Sequence, residues 1–304
     1  MSPRDAGEGE GAALAAGWLW AALFAVGLSW GLTQFFMKPA MASGVHPIGA
    51  AFWQASVGAV VAGTALWLSG RRLPLSRHHL AFYGVCGILG TALPAAVSFE
   101  AIQHLPVGVQ SLVISMVPIL TVAMALAFRI ERAEGRRIGG VVLGFSAIAL
   151  IVGPDTSLPD PALAVFVLLP LISASCYALE NIVIARFRPA GVDALQIGCG
   201  LLWAATAMLT PVALIGGFEL MPARLDWSTL SLAAVTVFNI LAYLGFVWLI
   251  GHGGPVFASQ VGYVVTATGV LSGMVFLGER HGPTLWLAMA MLFAGVALVR
   301  PKQA

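Results

Sequence analysis

Residues 106–132 read PVGVQSLVISMVPILTVAMALAFRIER, and residues 255–280 read PVFASQVGYVVTATGVLSGMVFLGER. Each stretch starts with proline, continues as an apolar run and ends in Glu-Arg, so that Glu131 and Glu279 lie 148 positions apart. Each apolar run is long enough for the roughly 20 residues with which an α-helix crosses a bilayer. The two stretches therefore predict a membrane protein that contains the same helical unit twice.

Weaker similarities extend this repeat in both directions. The offset of 148 positions also matches Phe145 with Phe293 and Ser111 with Ser259. Near the start of each half an offset of 147 positions matches two further pairs, Trp30 with Tyr177 and Gln34 with Asn181. The whole chain is therefore interpreted as one duplicated unit.

The composition excludes a soluble globular domain. Of the 304 residues, 59% are apolar and only 9% are charged, whereas a soluble domain carries about 25% charged residues. The net charge of +2 suggests neither nucleic acid nor an acidic partner, and the lipid bilayer is the expected environment. The three cysteines lie in apolar runs without metal-ligand spacing, so we expect neither a disulfide framework nor a metal site.

The apolar runs predict an all-α membrane protein with ten transmembrane helices. Each run is bounded by glycine, proline or charged residues, as in the clusters at 69–72, 153–155 and 251–255. The predicted spans are Gly17 to Met37, Pro47 to Ser69, His79 to Ile102, Pro106 to Phe128, Ile138 to Gly153, Ala162 to Ala185, Ala194 to Gly216, Ser228 to Ile250, Pro255 to Leu277 and Thr284 to Val299.

Five helices in each unit imply inverted repeats. Because five is odd, the second unit enters the membrane with the opposite orientation, and a two-fold axis in the membrane plane predicts a central cavity. The predicted parts are an N-terminal cytoplasmic tail, a first five-helix repeat, an external linker, a second five-helix repeat and a C-terminal cytoplasmic tail. Their boundaries are 1–16, 17–153, 154–161, 162–299 and 300–304.

The basic residues predict the orientation. Placing the N-terminus inside leaves only Lys38, Arg224 and Arg280 outside, and so twelve of the fifteen lysines and arginines inside. Cytoplasmic loops carry the excess of such residues, so both termini are predicted to be cytoplasmic. The first apolar run, from Leu14 to Met37, exceeds the 7 to 15 residues of a signal peptide core and is interpreted as an uncleaved helix.

The repeated motifs resemble those of the drug/metabolite transporter superfamily, in the branch with two EamA repeats. The likeness is carried by three features: 30–35 (WGLTQF) followed by Lys38, 105–108 (LPVG) leading through Pro118 to Glu131-Arg132, and 255–258 (PVFA) leading to Glu279-Arg280. This resemblance implies a ten-helix metabolite carrier, often an exporter, of the bacterial inner membrane. Its size and its aromatic-rich spans together resemble those of the aromatic amino-acid exporters of the superfamily. Members commonly have an arginine where this chain has Gln54, and this departure argues against anionic substrates such as nucleotide sugars or triose phosphates.

Polar residues within the spans are candidates for a substrate site or a gate, because lipid does not solvate them. Trp30, Gln34 and Lys38 share one face of the first helix, and Tyr177 and Asn181 occupy the equivalent positions of the sixth. Two aromatic and amide pairs can hold a neutral amphipathic solute, or they can simply bond one helix to another.

Lys38 is predicted to pair with Glu100 at the external mouth as part of a gate, or else to extend towards the lipid headgroups. Glu180 is predicted to be compensated by Arg186. The remaining candidates for substrate binding or gating are Gln54, Tyr83, Thr91, Ser111, Ser115, Asn239, Tyr243, Ser259 and Tyr263, and Pro94 and Pro118 are hinge candidates. The GxxxG spacings at 27–31, 140–144 and 269–273 permit internal packing or dimerisation, and the sequence leaves the oligomeric state open.

These observations predict a secondary transporter that exports small amphipathic metabolites by alternating access between the inverted repeats, with aromatic or neutral amino acids as the first substrate candidates. Transport by facilitated diffusion and transport coupled to a proton are both left open, and no cofactor is expected. One alternative is a broad-specificity drug and metabolite efflux carrier, and another is a membrane sensor or structural protein without transport. Phosphate-binding loops, HExxH zinc motifs and serine elbows are absent from the sequence, so an enzyme is not expected.

Overall fold

The computed structural model describes residues 3–42, 44–129, 134–152, 158, 160–218, 225–258 and 260–299. Within these ranges the chain forms helices and connections, with no β-strand. The helices are α1 (Pro3–Met41), α2 (Pro47–Leu68), α3 (Arg77–His104), α4 (Val107–Ala127), α5 (Gly135–Val152), α6 (Ala162–Phe187), α7 (Ala194–Ile215), α8 (Trp227–Ala258), α9 (Val261–Leu277) and α10 (Pro283–Val299). Eight of them are long and apolar enough to cross a bilayer, and α9 and α10 are shorter apolar helices.

The helices pack in a two-fold pattern within the described residues. Three pairs have an equivalent across the axis: α1 packs on α8 as α6 packs on α3, α1 on α9 as α6 on α4, and α3 on α7 as α8 on α2. Three further pairs, α2 with α7, α4 with α9 and α5 with α10, join equivalent helices to each other. Two inverted five-helix units produce this pattern, so the predicted fold class is confirmed.

The eighth helix is longer than predicted. The cluster 251–255 is predicted to end it at Ile250, but α8 continues as helix to Ala258 and α9 begins only at Val261. This cluster contains no Asp, Glu, Lys or Arg. A helix therefore satisfies its backbone groups better than a loop would, and membrane helices tolerate glycine and proline for that reason.

The GxxxG glycines face other helices of the same chain. A Cβ atom added to Gly27 or Gly31 of α1 would lie 2.4 Å from the side chain of Val264 or Thr268 on α9. Such closeness requires glycine, because only a residue without Cβ lets the two backbones approach so far. Glycines of the other two motifs also pack against side chains of the same chain. Gly144 packs against Ile119, Gly269 against Ser111 and Gly273 against Glu279. Internal packing therefore accounts for all three motifs.

The three cysteines are free thiols inside the protein. Cys86, Cys176 and Cys199 are all buried. Their burial means that a membrane-impermeant thiol reagent has little access to the native chain.

This burial allows a direct test of the predicted orientation. We expect Thr156→Cys to react with an impermeant maleimide in intact cells, and Arg136→Cys to react only after the membrane is opened. The reason is that the positive-inside rule places residue 156 outside and residue 136 inside. The unsubstituted protein serves as the control for background labelling. Equal labelling of both positions from one side would contradict the inverted orientation.

Candidate functional site

Trp30 and Asn239 connect the two repeats near the middle of the membrane. The indole Nε1 of Trp30 on α1 donates a hydrogen bond to Oδ1 of Asn239 on α8 at 3.0 Å. The indole also lies 5.2 Å from the ring of Phe246, and Trp30 and Asn239 are both half-buried. Trp30 is near the centre of the apolar segment Gly17–Met41, which puts it close to the membrane midplane. Two predicted candidates are thus brought into direct contact.

Gln34 begins a hydrogen-bonded chain that crosses four helices. Its Oε1 accepts from Nε2 of Gln110 on α4 at 3.0 Å, and the same Nε2 donates to the carbonyl of Ser98 on α3 at 3.3 Å. Oγ of Ser98 donates to Oγ of Ser173 on α6 at 3.0 Å, and Ser173 donates to the carbonyl of Pro94 at 3.0 Å. These bonds join α1, α4, α3 and α6, so a movement of one helix disturbs the bonds of the others.

Gln110 is the central member of this chain, and it has an unused acceptor. Its side chain is fully buried, and its Oε1 accepts no hydrogen bond within the described part of the chain. An unsatisfied buried acceptor costs about 1 to 3 kcal/mol, so a ligand that donates a hydrogen bond would be favoured here. Gln110, Ser98 and Ser173 are absent from the candidates predicted from sequence. The sequence could have identified Gln110, because it has the only amide side chain in 107–127. Ser98 and Ser173 could not be distinguished in this way, because most serines in membrane helices bond to their own helix.

Asn181 makes a weaker contact than its repeat equivalent Gln34. Nδ2 of Asn181 is 3.4 Å from Oγ1 of Thr121 on α4, and the amide is exposed. This distance is near the limit for a hydrogen bond. Both amides therefore contact α4, but only that of Gln34 joins a buried chain of hydrogen bonds.

Two helices have irregular backbone close to these contacts. α3 contains a π-helical turn at Ile88–Ala92, which ends two residues before Pro94. α4 is interrupted between Ile114 and Val117, just before Pro118. Proline lacks the N–H that continues a helix, and π-turns recur at functional sites. The irregularities lie at the two hinge candidates, whose movement stays a prediction.

Lys38 and Glu279 meet at the end of α1 that the charge distribution assigns to the outside. Nζ of Lys38 donates to the carbonyl of Leu105 at 2.8 Å and lies 3.8 Å from Oε1 of Glu279. The carboxylate of Glu279 accepts from the backbone N–H groups of Val107 at 2.6 Å and Gly108 at 3.1 Å. These are the first N–H groups of α4, where a helix favours negative charge. We call Lys38, Glu279, His281 and the backbone of 105–108 the Lys38–Glu279 cluster.

His281 and two glycines enclose the carboxylate. Nε2 of His281 is 3.3 Å from Oε2 of Glu279, and the histidine side chain is only 1% exposed. A Cβ atom on Gly108 would lie 2.6 Å from His281 Nε2, and one on Gly273 would lie 2.3 Å from Glu279 Oε2. Burial opposes the ionisation of Glu279, but His281, the two backbone N–H groups and Lys38 together hold its pKa below the ordinary value. The ionised Glu279 thus joins α1 and α4 to the connection between α9 and α10.

The predicted pair of Lys38 and Glu100 is wrong. Glu100 instead contacts Nε2 of His104 at 3.1 Å and Nε2 of Gln103 at 3.2 Å. These residues lie one turn further along α3, within easy reach of Glu100 on the same helix face. Lys38 is held by the Leu105 carbonyl and Glu279, so it is not free to extend towards the headgroups.

The predicted compensation of Glu180 by Arg186 is also wrong. No salt bridge to Glu180 occurs among the described residues, and Arg186 is exposed in the last turn of α6. The Glu180 carboxylate lies instead against the π-turn of α3, where a Cβ atom on Gly90 would be 2.1 Å from its Oε1. The glycine makes room for the carboxylate between the two helices.

Other candidates lie apart from Trp30 and Asn239. Tyr83 is buried against Gly200 of α7, and its hydroxyl has no hydrogen-bond partner in the described part of the chain. The hydroxyl of Tyr243 donates to the carbonyl of Ala194 at 3.0 Å, and its ring packs on Gly198. Both tyrosines fill space between α7 and its neighbours.

The remaining candidates make mostly local contacts. Ser115 donates to the carbonyl of Leu112 at 2.7 Å on its own helix, and the ring of Tyr263 lies 4.8 Å from that of Phe293. Thr91 is buried in the π-turn, and Gln54 is half-buried. Ser111 is buried against Gly269. Ser259 lies outside the described residues.

A family model described as the EamA-like transporter family matches this sequence twice, at residues 16–153 and 164–300. The chain is 26% identical over 291 residues to the uncharacterized inner membrane transporter YedA of Escherichia coli K12, covering 92% of this chain and 90% of YedA. It is also 25% identical over 252 residues to a probable terminal-alkyne amino-acid exporter of Streptantibioticus cattleyicolor, covering 82% of this chain and 81% of the exporter.

A solved crystal structure has the same fold. It superimposes with a TM-score of 0.61 at 19% sequence identity, over 92% of this chain and 97% of the other. At this identity the likeness concerns the arrangement of the helices alone.

Proposed function

Because this chain belongs to the EamA-like transporter family, we propose that it exports small amphipathic metabolites, with aromatic or neutral amino acids as the first candidates. The family makes the chain a transporter of a small molecule in a lipid membrane. The proposal adds the substrate class, the outward direction and alternating access between the inverted repeats.

The observation that carries the proposal is the contact between Trp30 and Asn239. An indole and an amide, both half-buried, meet between the two repeats near the midplane. An aromatic ring can stack on the first, and a polar group can bond to the second. A single hydrogen bond contributes only about 0.5 to 1.5 kcal/mol net, so a solute can replace this one and leave again.

Two further observations support neutral or zwitterionic amino acids. This chain has the half-buried, neutral Gln54 at the position where related transporters commonly have an arginine. Without that positive charge an anionic substrate is not favoured. The similar protein of Streptantibioticus cattleyicolor is named a probable amino-acid exporter. Its similarity to this chain extends over most of its length.

Alternating access requires the Lys38–Glu279 cluster to open. The cluster joins α1 and α4 to the connection between α9 and α10 through four polar contacts of Lys38 and Glu279. In the proposed cycle this arrangement is the closed form of the external mouth, and substrate leaves when the cluster separates.

Flux through the purified protein in liposomes tests the proposal. The panel holds tryptophan, phenylalanine, leucine, a cationic dye and a nucleotide sugar, with protein-free liposomes as control. We expect saturable flux of the amino acids and none of the nucleotide sugar. Flux of the dye without flux of any amino acid would replace the proposal with broad drug efflux, and flux of no solute would favour a sensor or structural protein.

Two matched amide variants separate substrate contact from packing. Gln34→Leu is expected to raise the apparent substrate constant roughly tenfold, because a lost hydrogen bond in a dry site costs about 1 to 3 kcal/mol. Asn181→Leu should have a smaller effect, since its amide is exposed and its contact longer. Thr64→Val, at an exposed position of α2, controls for unspecific changes. Unchanged kinetics in Gln34→Leu at normal folded yield would assign the residue to packing.

A further inference from the structure

Glu180 is a carboxylate inside the membrane segment of α6. It lies seven residues before Phe187, the end of the helix, which corresponds to about 10 Å along the axis. The hydrocarbon core extends about 15 Å on each side of the midplane, so this depth places Glu180 within it. An acidic side chain at such depth is costly and is retained chiefly where it has a role.

The neighbours of Glu180 supply no positive charge. Its titratable neighbours are the thiol of Cys86 on α3 and the phenols of Tyr177 on α6 and Tyr243 on α8. None of these groups is a cation near neutral pH. α4 and α7, which also pack around this region, contain no charged residue.

Charged and histidine side chains of α3 lie near its two ends, away from the central π-turn that faces Glu180. They are Arg77, His78, His79, Glu100 and His104. Within the described residues Glu180 therefore has no fixed counter-ion. A bound proton is the smallest species that can neutralise it.

The backbone beside the carboxylate is irregular. Gly90 belongs to the π-turn Ile88–Ala92, and its missing side chain leaves the space that the Glu180 carboxylate occupies. Pro94 lacks the N–H that would bond to the Gly90 carbonyl in a regular helix. A rearrangement of this turn would change the exposure of Glu180 to water, and an unpaired carboxylate is favoured in water but not in a sealed apolar site.

We infer that Glu180 is the proton-binding residue that couples transport to proton movement, an inference that rests on the proposed transport function. The carboxylate takes up one proton when the site opens to one side and becomes a neutral carboxylic acid. It releases that proton when the site opens to the other side.

Proton binding is tested without any substrate, by infrared difference spectra of the purified protein between alkaline and acidic pH. We expect a carboxylic acid band that is present in wild type and in Glu100→Gln but is lost in Glu180→Gln. Glu100 is a suitable control because it is a half-exposed carboxylate outside the Lys38–Glu279 cluster. A band that is unchanged in Glu180→Gln would overturn the inference.

Coupling is tested in liposomes with the amino acid that wild type transports. In Glu180→Gln we expect accumulation driven by a pH gradient to fall at least about tenfold, while exchange of labelled for unlabelled substrate stays within about twofold. Glu180→Asp keeps a carboxyl group and should therefore keep gradient-driven accumulation, with an altered pH dependence. This second variant keeps the test decisive if the glutamine variant does not fold. Two results would overturn the coupling role. One is gradient-driven accumulation that persists in stable Glu180→Gln, and the other is the loss of both exchange and accumulation in that variant. If wild type carries no solute of the panel, the proposed transport function fails, while the infrared result still decides whether Glu180 binds the proton.

Discussion

Glu279→Gln is expected to lower the rate of transport about tenfold to a hundredfold. Glutamine lacks the negative charge with which Glu279 attracts Lys38 and the first N–H groups of α4. Breaking a buried ion pair by removing one partner costs about 3 to 5 kcal/mol. The side chain of Lys38 is 36% exposed, and solvent screening reduces this cost to roughly 2 kcal/mol. Flux in liposomes and thermal unfolding of the same preparation measure the effect.

A double-mutant cycle tests whether Lys38 and Glu279 act as one unit. Lys38→Ala combined with Glu279→Gln should be little worse than either single variant, because residues in contact are non-additive. Glu100→Gln, which removes a carboxylate outside the cluster, should transport normally. Fully additive losses, or normal transport in Glu279→Gln, would contradict the gate.

The ionisation of Glu279 also predicts how the cluster depends on pH. Its pKa is held below the ordinary value of 4.5, so the stabilisation is fully present above that value. It is lost only as the pH falls through the lowered pKa. We therefore expect a change of pH within the neutral range to leave the stability of the closed cluster unchanged, so that the cluster opens there with the transport cycle and not with pH. A pH-driven midpoint of opening near pH 7 would contradict this assignment.

Gly31→Leu is expected to prevent formation of the folded protein. A Cβ atom at this position would lie 2.4 Å from Cβ of Thr268 and 3.0 Å from the carbonyl of Val265. The backbone carbonyl cannot move without shifting α9, and overpacking of this kind costs about 1 to 3 kcal/mol or more. Folded yield after detergent extraction and thermal stability are the measurements.

The matched control lies on the partner helix. Gly262 of α9 is exposed, and nothing lies within 4 Å of a Cβ added there. Gly262→Leu should therefore fold normally. Equal yields of Gly31→Leu and Gly262→Leu would show that the contact between α1 and α9 is not required for folding.

The sequence is sufficient to predict the number of helices and their inverted arrangement. Hydropathy reports directly on membrane crossing, and an odd number of helices in each repeat leaves no other orientation. The end of the eighth helix is not predicted, because Gly251 and Pro255 disfavour helix in water but not in lipid.

Trp30, Gln34, Lys38 and Asn239 are candidates from the sequence, whereas Gln110, Ser98, Ser173 and Glu279 are not. The contacts between these residues are not predicted. The repeat shows that Trp30 and Tyr177 occupy equivalent positions in the two halves. Equivalent positions need not be in contact, so the repeat does not predict that Trp30 contacts Asn239. Lys38 is matched with Glu100 because both lie at the predicted outer ends of their helices, whereas its observed partner Glu279 comes from the opposite repeat. Contacts between distant segments depend on how the helices cross, which spacing along the chain does not encode.

The two-fold packing has a consequence for how the protein is made. Every extensive contact that the described residues of α7 to α10 make is with a helix of the first repeat. α6 likewise packs on α3 and α4. Among the described residues the second repeat therefore has no extensive core of its own, and we expect it not to fold without the first. During synthesis the first five helices are made before Asn239 and Glu279, the partners of Trp30 and Lys38 in the second repeat. We therefore expect assembly to be completed only once the second repeat has been inserted.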